Sequence, residues 1–409
     1  MAIAIHSARL IDGTGQAIEP ATVIVRDNKI AAAGPSRSVS IPRGATRING
    51  RGLTVLPGLI DCHVHLCWRG EADVVKASEQ ETLTETLLKA SRSAGQTLEA
   101  GVTTVRDLGS RDHSIFALKK AIDKGLVPGP RIIGAGLAIC MIGGHLARVI
   151  AQEVEGVEQV RKVVREQIDA GAEVIKVIAS GGVLTPGTSP DQAQMTLDEL
   201  SAAVDEAKRA GRKVAAHAHA ASGMKNAIHA GVHSIEHATL LDEEAAGLFR
   251  TNAVYMVPTL SALATTGACR RGCGIPDSAL EKAKSMTKRH QASFRQAHRR
   301  GLLIAMGTDA GTPFNAHGDN AQELERMVAY GMSPMEAIIT STAAGARLIG
   351  IDDRLGTIAR GKEADLLVID GNPLRNIAVL RDRARIVGVM KAGQFVAGAL
   401  SNESLAAQS

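Results

Sequence analysis

Aromatic side chains are scarce in this chain, since phenylalanine, tryptophan and tyrosine make up 2% of its 409 residues. Proteins that stack single-stranded nucleic acid on their surface need aromatic platforms, so the composition argues against that class. Hydrophobic residues nevertheless reach 45%, and the core must therefore consist of alanine, valine, isoleucine and leucine. Branched aliphatic side chains are typical of the filled interior of a β/α barrel.

The sequence also has no apolar run long enough to span a bilayer and no charged, then apolar, leader at its start. We therefore expect a cytoplasmic protein without a membrane partner. The net charge of +5 is spread along the chain, which favours a solvated surface, with some attraction for anionic small molecules, over a nucleic-acid patch. The few cysteines are scattered and odd in number, which predicts free thiols at Cys62, Cys67, Cys140, Cys269 and Cys273.

Both ends of the chain have the pattern of short strands joined by tight turns. Asp12-Gly13 and Asn49-Gly50 occur near the start, and Ala392-Gly393 separates two apolar runs near the end. Asp-Gly and Asn-Gly favour the positive φ angles of hairpin turns. We expect one small β-sandwich domain, built from residues 1–55 and 356–409.

The middle of the chain, residues 56–355, alternates short apolar runs with amphipathic stretches of helical spacing. Several of the helical stretches stop at a glycine, as at Ala170-Gly171 and Ala230-Gly231, which is a common helix C-cap. The apolar runs cover residues 59–66, 103–107, 131–135, 174–178, 214–217, 234–237, 255–257 and 303–307. Eight strand–helix units predict an α/β fold, a (β/α)8 TIM barrel.

Metal-competent side chains follow these predicted strands. His63 and His65 are two positions apart, so on a strand they share one face. In barrels of this kind the chemistry lies at the carboxyl ends of the strands, and five more polar residues occur there, namely Lys176, His217, His219, His237 and Asp309. Each alone has an ordinary explanation as a surface or hydrogen-bonded residue, but together they predict a metal centre.

These residues, with the segments VLPGLIDCHVH, IKVIASGG, KVAAHAHA, SIEHATL and MGTDAGTP, resemble the amidohydrolase superfamily in its binuclear, carbamylated-lysine form. The nearest branch contains prolidase-like and Xaa-Arg dipeptidases and ochratoxin-hydrolysing amidases. The resemblance implies two divalent metal ions, and imidazole and carboxylate ligands suit Zn²⁺. It implies that His63, His65 and Asp309 hold the more buried ion and that His217 and His237 hold the other. Lys176, as N6-carboxylysine, would bridge the two ions.

The function implied is hydrolysis of the amide bond of dipeptides or N-acyl amino acids with a free carboxylate, through a metal-bridging hydroxide. Asp309 would transfer the proton. His219 would contact the substrate carbonyl or the oxyanion, or else form a hydrogen bond behind the ligands. The alternative substrate is a xenobiotic aryl amide or carbamate, such as an ochratoxin-like N-acyl phenylalanine.

Three further residues are candidate substrate contacts. The resemblance implies that His145, in the loop after the third strand, contacts the substrate carboxylate. Arg148 is either its charge partner or a solvated arginine. His317, in the last loop, either contacts the substrate or fixes that loop.

Two other functions compete with this one. Deaminases of the superfamily commonly use one metal and a glutamate shortly after the fifth-strand histidine, whereas His217 is followed by Ala-His-Ala-Ala-Ser and Lys176 is present. Non-catalytic relatives typically lose metal ligands, and this chain keeps all six. The resemblance to the family implies a homo-oligomer. We expect the binding partner to be a small-molecule substrate and expect no binding of nucleic acid.

Overall fold

The computed structural model describes residues 2–400. The strands are β1 (Ala2–Ile11), β2 (Ala17–Arg26), β3 (Lys29–Pro35), β4 (Thr46–Asn49), β5 (Leu53–Pro57), β6 (Leu59–Val64), β7 (Val102–Asp107), β8 (Arg131–Gly134), β9 (Ala138–Met141), β10 (Ala151–Val154), β11 (Val174–Ile178), β12 (Lys213–Ala218), β13 (Ser234–His237), β14 (Tyr255–Val257), β15 (Leu366–Asp370), β16 (Ile386–Lys391) and β17 (Gln394–Ala397). The α-helices are α1 (Val74–Gln80), α2 (Leu83–Glu99), α3 (Ser114–Asp123), α4 (Gly156–Ala170), α5 (Leu197–Arg209), α6 (Ala221–Ala230), α7 (Glu243–Thr251), α8 (Leu260–Ala268), α9 (Asp277–Arg299), α10 (Gln322–Ala329), α11 (Pro334–Thr340) and α12 (Ala343–Ile349). Within residues 2–400, none of the helices combines the length and apolarity needed to span a bilayer.

Local sequence signals account for many of these helix boundaries. Helix α5 begins at a capping box, in which Thr196 Oγ1 accepts from the Glu199 amide and the Glu199 carboxylate accepts from the Thr196 amide. Helices α4 and α6 end at Gly171 and Gly231, whose φ angles are 118° and 91°. A side chain is disfavoured at such angles, so both predicted helix ends are confirmed.

Contacts divide the chain into two compact units. One contains the residues up to Asp61, Gly95–Thr104 and the residues from Gly318 onward. Its sheet has the order β17-β16-β15-β5-β1-β2-β3, with β4 beside β1. Strand β15 runs antiparallel to β5, with Val368 opposite Val55, so strands from the two ends of the chain lie side by side. Their buried apolar side chains form one core, which includes Ile5, Val23, Val55, Leu366, Val368 and Phe395.

The other unit contains Cys62–Ala94 and Val105–His317. Here strands alternate with helices, and one sheet has the order β10-β9-β11-β12-β13-β14 with every pair parallel. A second sheet has the order β6-β7-β8. The protein is thus an α/β protein with parallel sheets, as the alternating pattern predicts. The carboxyl ends of parallel strands lie at one edge, and His217 and His237 lie at or next to the ends of β12 and β13.

The eighth predicted strand, residues 303–307, is formed by isolated bridges. Ile304 pairs with Met256, and Ala310 pairs with Val64, both in parallel. The Cys62 amide donates to Met306 O at 2.9 Å, and the Met256 amide donates to Leu303 O at 2.8 Å. This segment therefore runs between β14 and β6, although it has no continuous ladder.

Some features depart from the sequence prediction. Strands β9 and β10 were not predicted. Helices α11 and α12 follow one another closely and are separated near Thr342, which has φ −131° and ψ −98°.

The prediction of free cysteines is wrong for one pair, because Cys269 and Cys273 form a disulfide. Cys269 follows α8 directly, and the next turn returns the chain so that the two Cα atoms are 6.4 Å apart, within the reach of a disulfide. The spacing of the two cysteines in the sequence did not predict this turn. Cys62, Cys67 and Cys140 are buried and form no disulfide within the described residues.

Candidate metal centre and active site

Two histidines of β6 and its following turn converge with an aspartate. His63 Nε2 and His65 Nε2 lie 3.4 and 3.2 Å from Asp309 Oδ1. All three side chains are buried, yet Asp309 Oδ1 has no hydrogen-bond partner among the described residues. Burial alone would raise the pKa of the Asp309 carboxyl, but the neighbouring His63 and His65 hold it well below its ordinary value. Three ligand atoms that face one point without bonding one another fit a bound cation.

The outer nitrogen of each of these histidines has a partner of its own. His63 Nδ1 donates to Glu236 Oε2 at 2.9 Å, and His65 Nδ1 donates to Gly109 O at 2.8 Å. With the proton on Nδ1, the lone pair of each ring is on Nε2, towards Asp309. Metal-binding histidines are normally oriented in this way by a hydrogen bond from the other ring nitrogen.

A second cluster consists of His217, His219 and His237, whose ring centroids lie 4.6 to 4.8 Å apart. His217 Nε2 donates to Gly181 O at 3.2 Å, which leaves the lone pair of the neutral ring on Nδ1. His237 Nδ1 lies 2.6 Å from Thr259 Oγ1, which leaves Nε2 as the ring nitrogen available to a metal. In both clusters the ligand atoms lie within 4.8 Å of one another, a separation that one metal ion can bridge.

Burial keeps these imidazoles neutral. Desolvation, followed by repulsion between neighbouring rings, holds the pKa of His217 and His237 well below the ordinary value, and the same holds for His219 with His290 as its first ring neighbour. Desolvation and the charge of Lys176 lower the pKa of His63 to about 4. A histidine binds a metal only through its neutral ring. The lowered pKa values therefore suit these histidines to the metal binding that their positions indicate.

Lys176 lies on β11 and is 3% exposed. Its Nζ is buried and has no hydrogen-bond partner among residues 2–400. Burial is the main reason that the pKa of Lys176 falls to about 8, so the neutral amine is accessible near neutral pH. Both histidine clusters and Lys176 line the same cavity.

A buried ion pair behind His63 was missed by the sequence analysis. Arg106 donates to Glu236 Oε1 at 2.9 Å and to Cys62 O at 2.6 Å. Burial would raise the pKa of Glu236, but Arg106 and His63 lower it to about 2. The signal that could have revealed the pair is a charge of each sign inside two predicted strands, at Arg106 and at Glu236.

Of the candidate substrate contacts, His145 and His219 line the cavity. His145 Nδ1 lies 2.8 Å from Thr185 Oγ1, and His219 Nδ1 lies 2.7 Å from Thr239 Oγ1. The His145 ring lies against Gly182, where an added Cβ atom would lie 2.3 Å from Nε2. Glycine at position 182 therefore makes room for this imidazole.

The other two candidates lie away from the cavity lining. The side chain of Arg148 is 82% exposed, and its Nε donates to Glu153 Oε2 at 2.7 Å. Of the two alternatives predicted for Arg148, this exposed side chain fits the solvated arginine. His317 is buried and donates from Nε2 to His65 O at 3.1 Å, which makes it a support of the His65 backbone.

The residues that line this cavity fall into two chemically different groups. The polar group includes the histidines, Lys176 and Asp309. The apolar group includes the side chains that we name the apolar wall: Trp68, Leu146, Ile150, Val183, Leu184 and Leu263.

This fold and this site match a known class. The model of the Amidohydrolase family matches residues 54–396, so the chain belongs to the amidohydrolase family, as its motifs indicated, and is an amide-hydrolysing enzyme. Among similar proteins, the ochratoxinase of Aspergillus niger is 32% identical, over 96% of this chain and 86% of that protein.

Two solved structures are also similar. A crystal structure of a Xaa-Pro dipeptidase with bound methionine in its active site has a TM-score of 0.89 at 36% identity, and covers 97% of this chain and 100% of the other. The crystal structure of A. niger ochratoxinase has a TM-score of 0.85 at 29% identity, and covers 98% of this chain and 96% of the other.

Proposed function

We propose that the protein is a metal-dependent hydrolase of dipeptides or N-acyl amino acids with a free C-terminal carboxylate. The observation that carries the proposal is the meeting of two clusters of buried imidazoles and one carboxylate around an unpartnered lysine amine, in one buried cavity. The similar Xaa-Pro dipeptidase and ochratoxinase support an amide next to a carboxylate as the substrate.

The residues present fit two divalent cations, for which we propose Zn²⁺. His63, His65 and Asp309 would hold one ion, and His217 and His237 the other. Lys176 would bridge them as N6-carboxylysine, formed by addition of its amine to CO2. An unmodified ammonium group cannot bind a cation, whereas the carbamate offers two oxygens, and this addition explains why the buried Nζ has no protein partner.

When bound, the two cations would supply an acidic water and would polarise the substrate carbonyl. Asp309 would take the proton of the attacking water and pass it to the leaving nitrogen. Thr239 Oγ1 can donate to His219 Nδ1, which leaves His219 Nε2–H to donate to the oxyanion. Thr185 Oγ1, which accepts from the Leu146 amide, can likewise donate to His145 Nδ1, so His145 Nε2–H would hold the substrate carboxylate.

The test combines metal analysis with turnover. We expect about two zinc ions per chain, hydrolysis of part of a panel of dipeptides and N-acyl amino acids, and faster metal loading of apo-enzyme with bicarbonate present. Lys176→Ala should lose turnover and the bicarbonate effect. Absence of hydrolysis across amides, esters and carbamates, from enzyme with full metal content, would refute the proposal.

A second candidate is hydrolysis of a xenobiotic aryl amide or carbamate, such as an ochratoxin-like N-acyl phenylalanine. The ochratoxinase relative and the apolar wall favour it. Both candidates use the same polar groups, and the same panel with aryl amides added separates them.

We also propose the finer architecture. The (β/α)8 barrel over residues 56–355 would be closed by the segment 303–310, and the hydrogen bonds of that segment to β14 and β6 support this. The sheet of the first unit would fold into a sandwich around its core. The predicted bounds of this domain were residues 1–55 and 356–409, of which residue 1 and residues 401–409 lie outside the described residues. Homo-oligomeric assembly and a cytoplasmic location stay predictions.

A further inference from the structure

The lining of the cavity contains two kinds of side chain. One kind carries the metal-binding and hydrogen-bonding groups, and the other kind forms the apolar wall. Trp68 has its indole N–H bonded to Ser78 Oγ at 2.9 Å, so the part of the ring that reaches the cavity is apolar. Leu184 of the wall is half-buried, while Leu146, Val183 and Leu263 are buried.

The wall offers no partner for an ionised group. Of the described residues that line the cavity, none is an arginine, Lys176 is the single lysine and Asp309 the single carboxylate, and both of these belong to the metal centre. The nearby Lys282 directs its ammonium to Thr185 O at 2.9 Å and to Thr188 O at 2.6 Å. Arg148 is exposed and paired with Glu153.

A charged side chain placed against this wall would lose its hydration without gaining a counter-ion, which is costly. An aliphatic or aromatic group would instead bury its surface with a favourable free energy. Resting on the proposed amide hydrolysis, we infer that the substrates carry an uncharged, apolar group next to the scissile amide, and that the enzyme discriminates against acidic and basic groups at that position.

The experiment uses the zinc-loaded full chain and two matched substrate series. In one, an N-acetyl amino acid varies its side chain among leucine, phenylalanine, aspartate and lysine. In the other, an N-acyl phenylalanine varies its acyl group between butanoyl and succinyl. All members share the free carboxylate. Aspartate is close in size to leucine, and succinyl is close in size to butanoyl, so charge is the main difference within each of these two pairs. In at least one series we expect kcat/KM to fall at least about 100-fold for the charged member, equivalent to about 2.7 kcal/mol.

A variant tests the wall itself. Leu184→Asp should lower kcat/KM for the apolar member about 10-fold and raise it for a lysine-containing member, whereas Leu88→Asp, at an exposed position of α2, should change neither. Equal kcat/KM for charged and apolar members in both series would overturn the inference while leaving amide hydrolysis intact. No hydrolysis of any member would instead count against the proposed function. If the Leu184→Asp variant fails to fold, the two substrate series on the unmodified enzyme still test the inference.

Discussion

At the scale of single residues, each proposed ligand histidine uses both of its ring nitrogens. One is available to a metal, and the other forms a hydrogen bond with the protein. The sequence predicted that His63 and His65 share a face, because alternate residues of a strand do so. It could not predict the partners of the outer nitrogens. Glu236 is distant in the chain, and Gly109 bonds His65 through a backbone carbonyl that any residue would supply.

Thr259 tests the importance of such a partner, because its hydroxyl lies 2.6 Å from His237 Nδ1. We expect Thr259→Val, which keeps the volume but removes the hydrogen bond, to weaken zinc affinity about 10- to 100-fold. Competition with a chelator measures the affinity. The matched control is Thr287→Val, since Thr287 Oγ1 bonds the backbone of Ala283 and Leu263. Equal affinities in the two variants would show that Thr259 does not orient the ring.

The buried ion pair of Arg106 and Glu236 leads to a prediction about the stability of the folded protein. Both side chains are buried, and Arg106→Met leaves the Glu236 carboxylate without its counter-ion. We expect the free energy of unfolding to fall by about 3–5 kcal/mol, as measured by urea denaturation. The double variant Arg106→Met with Glu236→Gln should recover part of that loss. A loss in the single variant below about 1 kcal/mol would contradict the inferred burial cost.

At the scale of elements, most strands and helices of the second unit could be predicted because their apolar patterns are regular. Seven of the eight predicted barrel strands appear as strands near the expected bounds. Strands β9 and β10 have four residues each, too few for alternation to be recognised. The loop between β11 and α5 has no periodicity at all, and tertiary contacts fix its conformation.

Lys282 of α9 supplies one of those contacts, since it donates to the carbonyls of Thr185 and Thr188. Thr185 in turn contacts His145. We expect Lys282→Met to speed amide hydrogen exchange in residues 181–188 and to raise KM several-fold, with a smaller change in kcat. Lys282→Arg should restore part of both. The control is Lys284→Met, at an exposed position of the same helix. Unchanged exchange and KM in Lys282→Met would exclude this anchoring role.

At the scale of the whole molecule, the proposed ligands are far apart in sequence. They come from β6 and the residue after it, from β11, β12 and β13, and from the segment that contains Asp309. All belong to the unit of Cys62–Ala94 and Val105–His317. The sequence predicted their convergence through the strand order alone, because parallel strands place their carboxyl ends at one edge. Which ring nitrogen of each histidine forms a hydrogen bond, and which is left for a metal, could be seen only in the folded chain.

Metal binding should therefore stabilise this unit, since an unfolded chain cannot gather the ligands. At a free zinc concentration about 1,000 times Kd, one site contributes about 4 kcal/mol. We expect removal of metal by a chelator to lower the midpoint of thermal unfolding by several degrees, and zinc to restore it. His63→Ala and His237→Ala should each lose part of the response, while Leu88→Asp should keep all of it. A midpoint that is the same with and without zinc would mean that the two clusters do not hold a metal in the folded protein.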